Sequence, residues 1–558
     1  MIDYTAKPFC LDEKGIRWVE ETFASMTEDE KLGQLFIQMG KPDAYEYLDE
    51  KILKKHVGGI LFRGTESHAL RRTMEYVQKR AKVPLLVCAN LEEGGIGLLT
   101  DGTYFSKQMG VAATGDPHYA YLSGKVSGSE AGAAGCMINF GPVVDMVLNW
   151  QNGITNTNSF GTDPDKVYAF AAANMKGLME CGMAACVKHF PGEGVDDRDQ
   201  HYQSEVNTMS VEEWDETFGK VFRKLFKDGA MAVMPGHIAM PAYQKLYTKD
   251  FGDRILPATF SKELLTDLLR GKLGFNGLCI SDGTKIAGSS CYMSREKAVP
   301  QMIEAGIDLI LYSYDMDEDV EYLKAGLASG ILSQERVEDA VLRNLAVKVA
   351  LGLPEKQKAG TLVPDEKALE IVGCGEHLKW AAECADHAVT LVTDEQERLP
   401  VDPEKNKKVR VILMCDPWER EDMSDYFEKA LKERGFEPQV MVPGQARPEE
   451  ESVKKFKAAY DWQLYVGRVE SAHKDKTVLR INWSEAATLP MLTEDVPAVY
   501  LSLGNPFDLY DVPMMKTYIN AYTGTHTVID AALDKITGSS GFKGISPDID
   551  PTCGLQYL

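Results

Sequence analysis

The stretch KHFPGEGVDDRDQH, Lys188 to His201, packs a lysine, two histidines and several carboxylates into one short segment. It follows the apolar run MAACVKH (183–189), so it leaves the end of a β-strand, and Pro191, Gly192 and Gly194 make it a loop. Asp199 stands two residues before His201. An Asp so placed accepts from one imidazole nitrogen and fixes the tautomer, leaving the other nitrogen to move a proton near neutral pH. Taken locally, a plain surface loop with chance polar residues fits as well. Asp282 closes a second apolar run, GLCISD (277–282). It is either a helix-capping Asp at a βα junction or an ionised nucleophile aimed from a fixed position. Other polar residues also stand just after apolar runs: Asn90, Glu92 and Glu93; Asp145 and Asn149; and His237.

Positioning these groups on one face requires a particular scaffold. Eight β-rich runs read as strands: 33–39, 58–62, 84–89, 136–142, 183–189, 230–235, 277–282 and 307–312. Amphipathic stretches such as SHALRRTMEYVQKRA (67–81) lie between them. Strand and helix in alternation suit a doubly wound sheet or a barrel. Polar residues after strand upon strand favour the barrel, whose site is built at the C-terminal ends of its strands. The expected fold class is α/β, a (β/α)8 TIM-type barrel followed by a smaller α/β/α sandwich. The expected domains are a barrel over 1–352, a linker over 353–370 and the sandwich over 371–558. The linker reading rests on the Gly, Pro and charges of LGLPEKQKAGTLVPDE (351–366). After it, EHLKWAAECADHAVTLVTDE (376–395) reads as one long helix, then KVRVILMCD, DWQLYVG and AVYLSLGNP as strands.

Composition narrows the partners. Lys and Arg total 61 against 84 Asp and Glu, a formal charge of −23, which disfavours nucleic acid and anionic membranes. No apolar stretch approaches the ~20 residues of a membrane helix. The first residues lack the charged start and apolar run of a secretion signal. The 11 cysteines form no CxxC pair, and an odd number of reduced thiols suits the cytoplasm. No cofactor or metal is expected, since no ligand cluster is evident.

The 188–201 stretch resembles the signature of glycoside hydrolase family 3, in its β-N-acetylhexosaminidase-like branch, KHFPGHG followed by D-x-H. GFNGLCISDGTKIAG is similar to that family's nucleophile strand, and MPGHIAMPAY, FGPVVDM and SFGTDPDKV match further pieces in order. LSLGNPFDLYDVPMMKTYINAYTGTHTVIDAALDKITG resembles its second domain. The resemblance spans roughly residues 15 to 545. It implies a retaining enzyme for β-glycosides, with Asp282 as nucleophile, His201 as acid/base and Asp199 orienting it. It further implies that Lys188 and His189 bind sugar hydroxyls, and that His237 lies near the site. The alternatives are a phosphorolytic enzyme with the same residues and a sugar-binding protein without turnover.

The pattern also breaks in places. Asn90 stands where the family has a sugar-gripping Asp, Asn158 where it has an Arg, and Gly283 where it has a second Asp. Lost charged hydrogen bonds of ~1.5–3 kcal/mol each make N-acetylglucosamine a default rather than a finding. Glu193 replaces the family's His. It reads first as a solvated loop charge, and otherwise as a contact that modulates His201.

Overall fold

The computed structural model describes residues 2–248, 255–441, 452–470, 479–481, 490 and 492–554. Ten strands lie in its first part: β1 Phe36–Met39, β2 Gly59–Leu61, β3 Leu86–Ala89, β4 Ile138–Asn139, β5 Ala184–Phe190, β6 Glu205–Val206, β7 Ala232–Pro235, β8 Ile238–Ala239, β9 Leu278–Cys279 and β10 Ile310–Leu311. Eight of them form one parallel sheet in the order β10-β1-β2-β3-β4-β5-β7-β9. A parallel bridge between Ile280 and Leu309 joins its two ends, so the ring is TIM-barrel-like. Each of the eight expected runs supplies one strand. Their legibility has a physical cause: parallel strands covered on both faces are largely apolar, and β2, β3, β4, β5, β7, β9 and β10 are wholly buried.

The two remaining strands matter for the site. β6 follows the 188–201 loop and pairs in parallel with β8, which follows His237. The loop is thus tied down at both ends, by β5 where it starts and by β6 where it finishes. Helix starts are set locally. Asp163 accepts from the Asp165 and Lys166 amides and Pro164 opens the helix Pro164–Glu180, which accounts for the SFGTDPDKV sequence.

The described chain divides into two compact units. One comprises 1–105, 120–149 and 163–378, and the other 106–119, 150–162 and 379–558. The second unit holds β11 Thr390–Asp394, β12 Lys408–Met414, β13 Glu437–Val440, β14 Trp462–Gly467, β15 Ala498–Ser502 and β16 Thr517–Asn520. Their order is β11-β16-β15-β14-β12-β13, parallel except for β11. Alternate residues serve opposite faces. Val409, Val411 and Leu413 pack with Phe427, Leu431, Ile529 and Leu533, while Ile412 and Met414 pack with Tyr465, Tyr500 and Tyr518. That is an α/β/α sandwich.

One local expectation changes. The helix expected over 376–395 ends at Ala388, and Thr390–Asp394 is a strand antiparallel to β16. Val389, Thr390, Val392 and Thr393 are β-branched, and they end the helix that the apolar spacing seemed to continue. The segment read as linker contains the helix Leu353–Ala359, with Pro354 in its first turn and left-handed glycines, Gly352 and Gly360, at its two ends.

Candidate active site

Asp282 lies just past β9, where the strand ladder ends, with 14% of its side chain exposed. Its Oδ1 accepts the Gly283 amide at 2.6 Å. Its Oδ2 is buried and accepts no hydrogen bond from the described residues. The helix that follows, Ala287–Ser290, has Ile286 at its N-cap, so Asp282 does not cap it. Burial pushes the carboxyl up, but His189, His237, His201 and the Gly283 amide outweigh burial and hold it at about 2. An ionised carboxylate with one oxygen fixed and the other unclaimed is the arrangement a carboxylate nucleophile needs.

His201 and Asp199 form a dyad within the loop. Asp199 is buried, and its Oδ1 accepts from both the His201 amide (2.8 Å) and His201 Nδ1 (2.7 Å). Those contacts assign a proton to Nδ1 and leave Nε2 for proton transfer. Burial pulls the imidazole down; the Asp199 hydrogen bond and the Asp282 charge overcome it, and the net shift is upward. The ring is about a third exposed, so a proton acceptor can reach it.

Lys188 and His189 are buried near the end of β5. Lys188 Nζ pairs with Glu92 Oε1 at 2.5 Å and donates to Asn90 Oδ1 at 3.2 Å. Burial works against the ammonium, but the Glu92 carboxylate reverses that and raises it. Glu92, one of the polar residues noted after the third strand, thus supplies the anion that Asn90 lacks. The extra residue in Asn90-Leu91-Glu92-Glu93-Gly94-Gly95 was the sequence signal for it.

His189 Nδ1 donates to Asp145 Oδ2 at 2.7 Å, and its Nε2 stands 3.7 Å from Asp282 Oδ2. Asp145 also accepts the His189 and Glu193 amides through Oδ1, at 3.1 and 2.8 Å. It lies in FGPVVDM, so the motif was visible although its role as the anchor of His189 was not. Asp145, His189 and Glu193 bring ligand-type atoms within 4.8 Å of one another. Their hydrogen bonds use the His189 nitrogen as a donor, so the trio fits an internal network better than a cation.

His237 is fully buried. Its Nε2 faces the Gly283 carbonyl at 3.1 Å and its Nδ1 faces Thr259 Oγ1 at 2.8 Å. Burial lowers its pKa, with the Asp282 charge opposing it, and its two hydrogen bonds hold the ring against the backbone next to Asp282. Asn158 belongs to the second unit. Its side-chain amide donates to the Ile154 carbonyl at 3.0 Å, and its carbonyl accepts from Gln108 at 2.8 Å.

Glu193 is not a solvated charge. It is completely buried, and its Oε2 accepts from Gln200 Nε2 at 3.0 Å. The tight loop that buries it depends on Gly192, whose φ is +122° and where a Cβ would meet the Phe218 ring at 2.4 Å. Gly192→Ala is therefore expected to destabilise the fold by about 3 kcal/mol. A urea melt checks this; an unchanged midpoint would mean the loop relaxes freely.

Residues 27–347 match the model of the glycosyl hydrolase family 3 N-terminal domain. The chain belongs to glycosyl hydrolase family 3. This family 3 enzyme is 40% identical over 99% of both chains to a β-N-acetylglucosaminidase/β-glucosidase from Cellulomonas fimi. It is 36% identical, with a TM-score of 0.94 and 99% of both chains covered, to a solved β-glucoside phosphorylase BglX bound to 2FGlc. It is 26% identical, with a TM-score of 0.80 and coverage of 94% of this chain and 99% of that one, to a family 3 β-N-acetylglucosaminidase from Paenibacillus sp. str. FPU-7. It is a glycosidase acting on O-glycosidic bonds of β-glycosides, and a carbohydrate is its substrate. No helix among the described residues is long and apolar enough to cross a membrane.

Proposed function

We propose that this family 3 enzyme cleaves β-glucosides and β-N-acetylglucosaminides by double displacement, with Asp282 as nucleophile and the His201–Asp199 pair as acid/base. The observation that carries this reading is Asp282 Oδ2, ionised yet free of hydrogen bonds from the described residues. Asp282 attacks the anomeric carbon as protonated His201 donates to the leaving oxygen. The neutral imidazole then deprotonates the acceptor, and configuration is retained overall. Asp199 holds the tautomer and stabilises the imidazolium. Lys188 and His189, with Asn90, orient the sugar, and His237 steadies the nucleophile's backbone. In this reading catalysis belongs to the barrel domain, 1–352, joined through 353–370 to a second domain over 371–558. A cytoplasmic setting completes it, in keeping with eleven free cysteines.

Phosphate as an acceptor is a second reading, favoured by the imidazole. After the first step a neutral base faces the acceptor, and it lacks the like charge with which a carboxylate would repel a phosphate anion. The likeness to a β-glucoside phosphorylase over 99% of both chains supports it. The test is turnover of 4-nitrophenyl β-glucoside, β-N-acetylglucosaminide, β-N-acetylgalactosaminide, β-xyloside and α-arabinoside, with and without phosphate. The first two should be cleaved, and phosphate should raise the rate and yield a glycosyl phosphate of retained configuration. Cleavage of neither contradicts the proposal; cleavage indifferent to phosphate removes the second reading alone.

The pH dependence has a definite sign. Asp282 is ionised above about 2, whereas the acid must be protonated, so activity is present below the His201 pKa and lost as pH rises through it. For a substrate with a poor leaving group, kcat/KM should stay level through mildly acidic pH. It should then fall on the alkaline side, with a midpoint above the usual 6.5 of histidine. A fall centred near pH 4–5, as a carboxylic acid would give, contradicts the assignment.

A further inference from the structure

We propose that Glu193 is a positioning residue for the acid/base: it fixes Gln200, and Gln200 fixes Asp199 and His201 on either side of it. The inference rests on the proposed role of His201 and deepens it.

Gln200 is completely buried and held at three points. Its Nε2 donates to Glu193 Oε2 at 3.0 Å, its Oε1 accepts the His237 amide at 2.6 Å, and its carbonyl accepts the Gly288 amide at 3.0 Å. The His201 carbonyl takes the next amide, Ala287, at 3.1 Å. Gln200 thus joins the acid/base loop to the strand ends that carry His237 and Asp282. Among the described residues its side-chain amide donates to Glu193, near the start of the same loop.

The chemistry of Glu193 explains how so buried a carboxyl is tolerated. Its Oε1 and Glu205 Oε2 are both buried and receive no hydrogen bond from any donor among the described residues. The two side chains face each other. Carboxylate oxygens only accept, so a single proton between them is what satisfies both. The surroundings favour keeping that proton. Glu193 faces Asp145 from the turn after β4, Asp199 from its own loop and Glu205 from β6, against one imidazole, His189 Nδ1 at 3.2 Å from β5. Glu205 also faces Asp145 and Asp196, the latter paired with Arg198. Burial first, and these like charges next, push both glutamates well above the ordinary carboxylate range. Protonated Glu193 is then neutral. It donates to Glu205 and accepts from Gln200, closing a clasp across the loop from its entry to its exit at β6.

The test compares kcat/KM for a methyl glycoside, which needs an acid, with that for a 2,4-dinitrophenyl glycoside, which does not. Glu193→Ala should lower the first about a hundredfold through a displaced His201 and leave the second nearly unchanged. Gln200→Ala should give the same split without touching a carboxyl, and serves if Glu193→Ala does not fold. Glu193→Gln presents an oxygen to Gln200 and an N–H to Glu205. It should remain within about threefold of the parent enzyme on both substrates. Parallel losses on both substrates, or a Glu193→Gln variant as impaired as Glu193→Ala, overturn the positioning role. His201→Ala is the control. If it shows the split while Glu193→Ala and Gln200→Ala do not, only this inference fails. If His201→Ala shows no split, the acid/base reading fails and the inference falls with it.

Discussion

Asp282→Ala should lower turnover of a 4-nitrophenyl β-glycoside by about four decades or more, the scale expected when a covalent nucleophile is removed. Added azide should restore part of that rate and give the α-glycosyl azide, because the small anion attacks from the face that the carboxylate occupied. The melting midpoint should change little. Asp282 caps no helix, and its hydrogen bond to the described chain goes to the adjacent Gly283 amide. A purely structural Asp282 predicts the reverse: a lower melting midpoint, modest loss of rate and no product with azide. Comparing the two measurements on one variant separates the readings without knowledge of the natural substrate.

His201→Ala is expected to produce the next largest effect, and its form is as informative as its size. Against an alkyl leaving group, kcat/KM should fall about 10²–10⁴-fold, the usual contribution of a positioned general acid. Against 2,4-dinitrophenolate, which departs without a proton, kcat/KM should fall far less. Turnover of that substrate should slow instead at the second step, where the imidazole acts as base, and the glycosyl-enzyme should accumulate in a burst. The alkaline limb attributed to His201 should vanish from the remaining profile. Equal losses on both substrates would mean that His201 binds or supports structure and does not transfer a proton.

The scaffold was legible because its parallel strands, covered on both faces, read as largely apolar runs. The dyad was legible because Asp199 and His201 are near neighbours in one loop whose glycines and proline announce it. What lay hidden depended on contacts between distant segments. Glu193 in a glycine-rich, acidic loop looks like a solvent-facing charge, and only its pairing with Glu205 and Gln200 explains its burial. Glu92 was obscured by an added residue in its turn, so Asn90 looked like a lost anion while the pairing of Lys188 with Glu92 keeps one. In the sandwich, the apolar spacing of 376–395 fits a helix to its end, and β-branched residues together with pairing to β16 turn Thr390–Asp394 into a strand.

The central claim is that a glycosyl group becomes bonded to Asp282. The direct measurement is to incubate the enzyme with 2,4-dinitrophenyl 2-deoxy-2-fluoro-β-glucoside, whose fluorine slows the second step, then digest the protein and locate the added mass. The account predicts a stoichiometric burst of dinitrophenolate and a fluoroglucosyl ester on Asp282, released again when phosphate or another acceptor is added. A label on a different carboxylate, or dinitrophenolate released with no label on the chain, would contradict it.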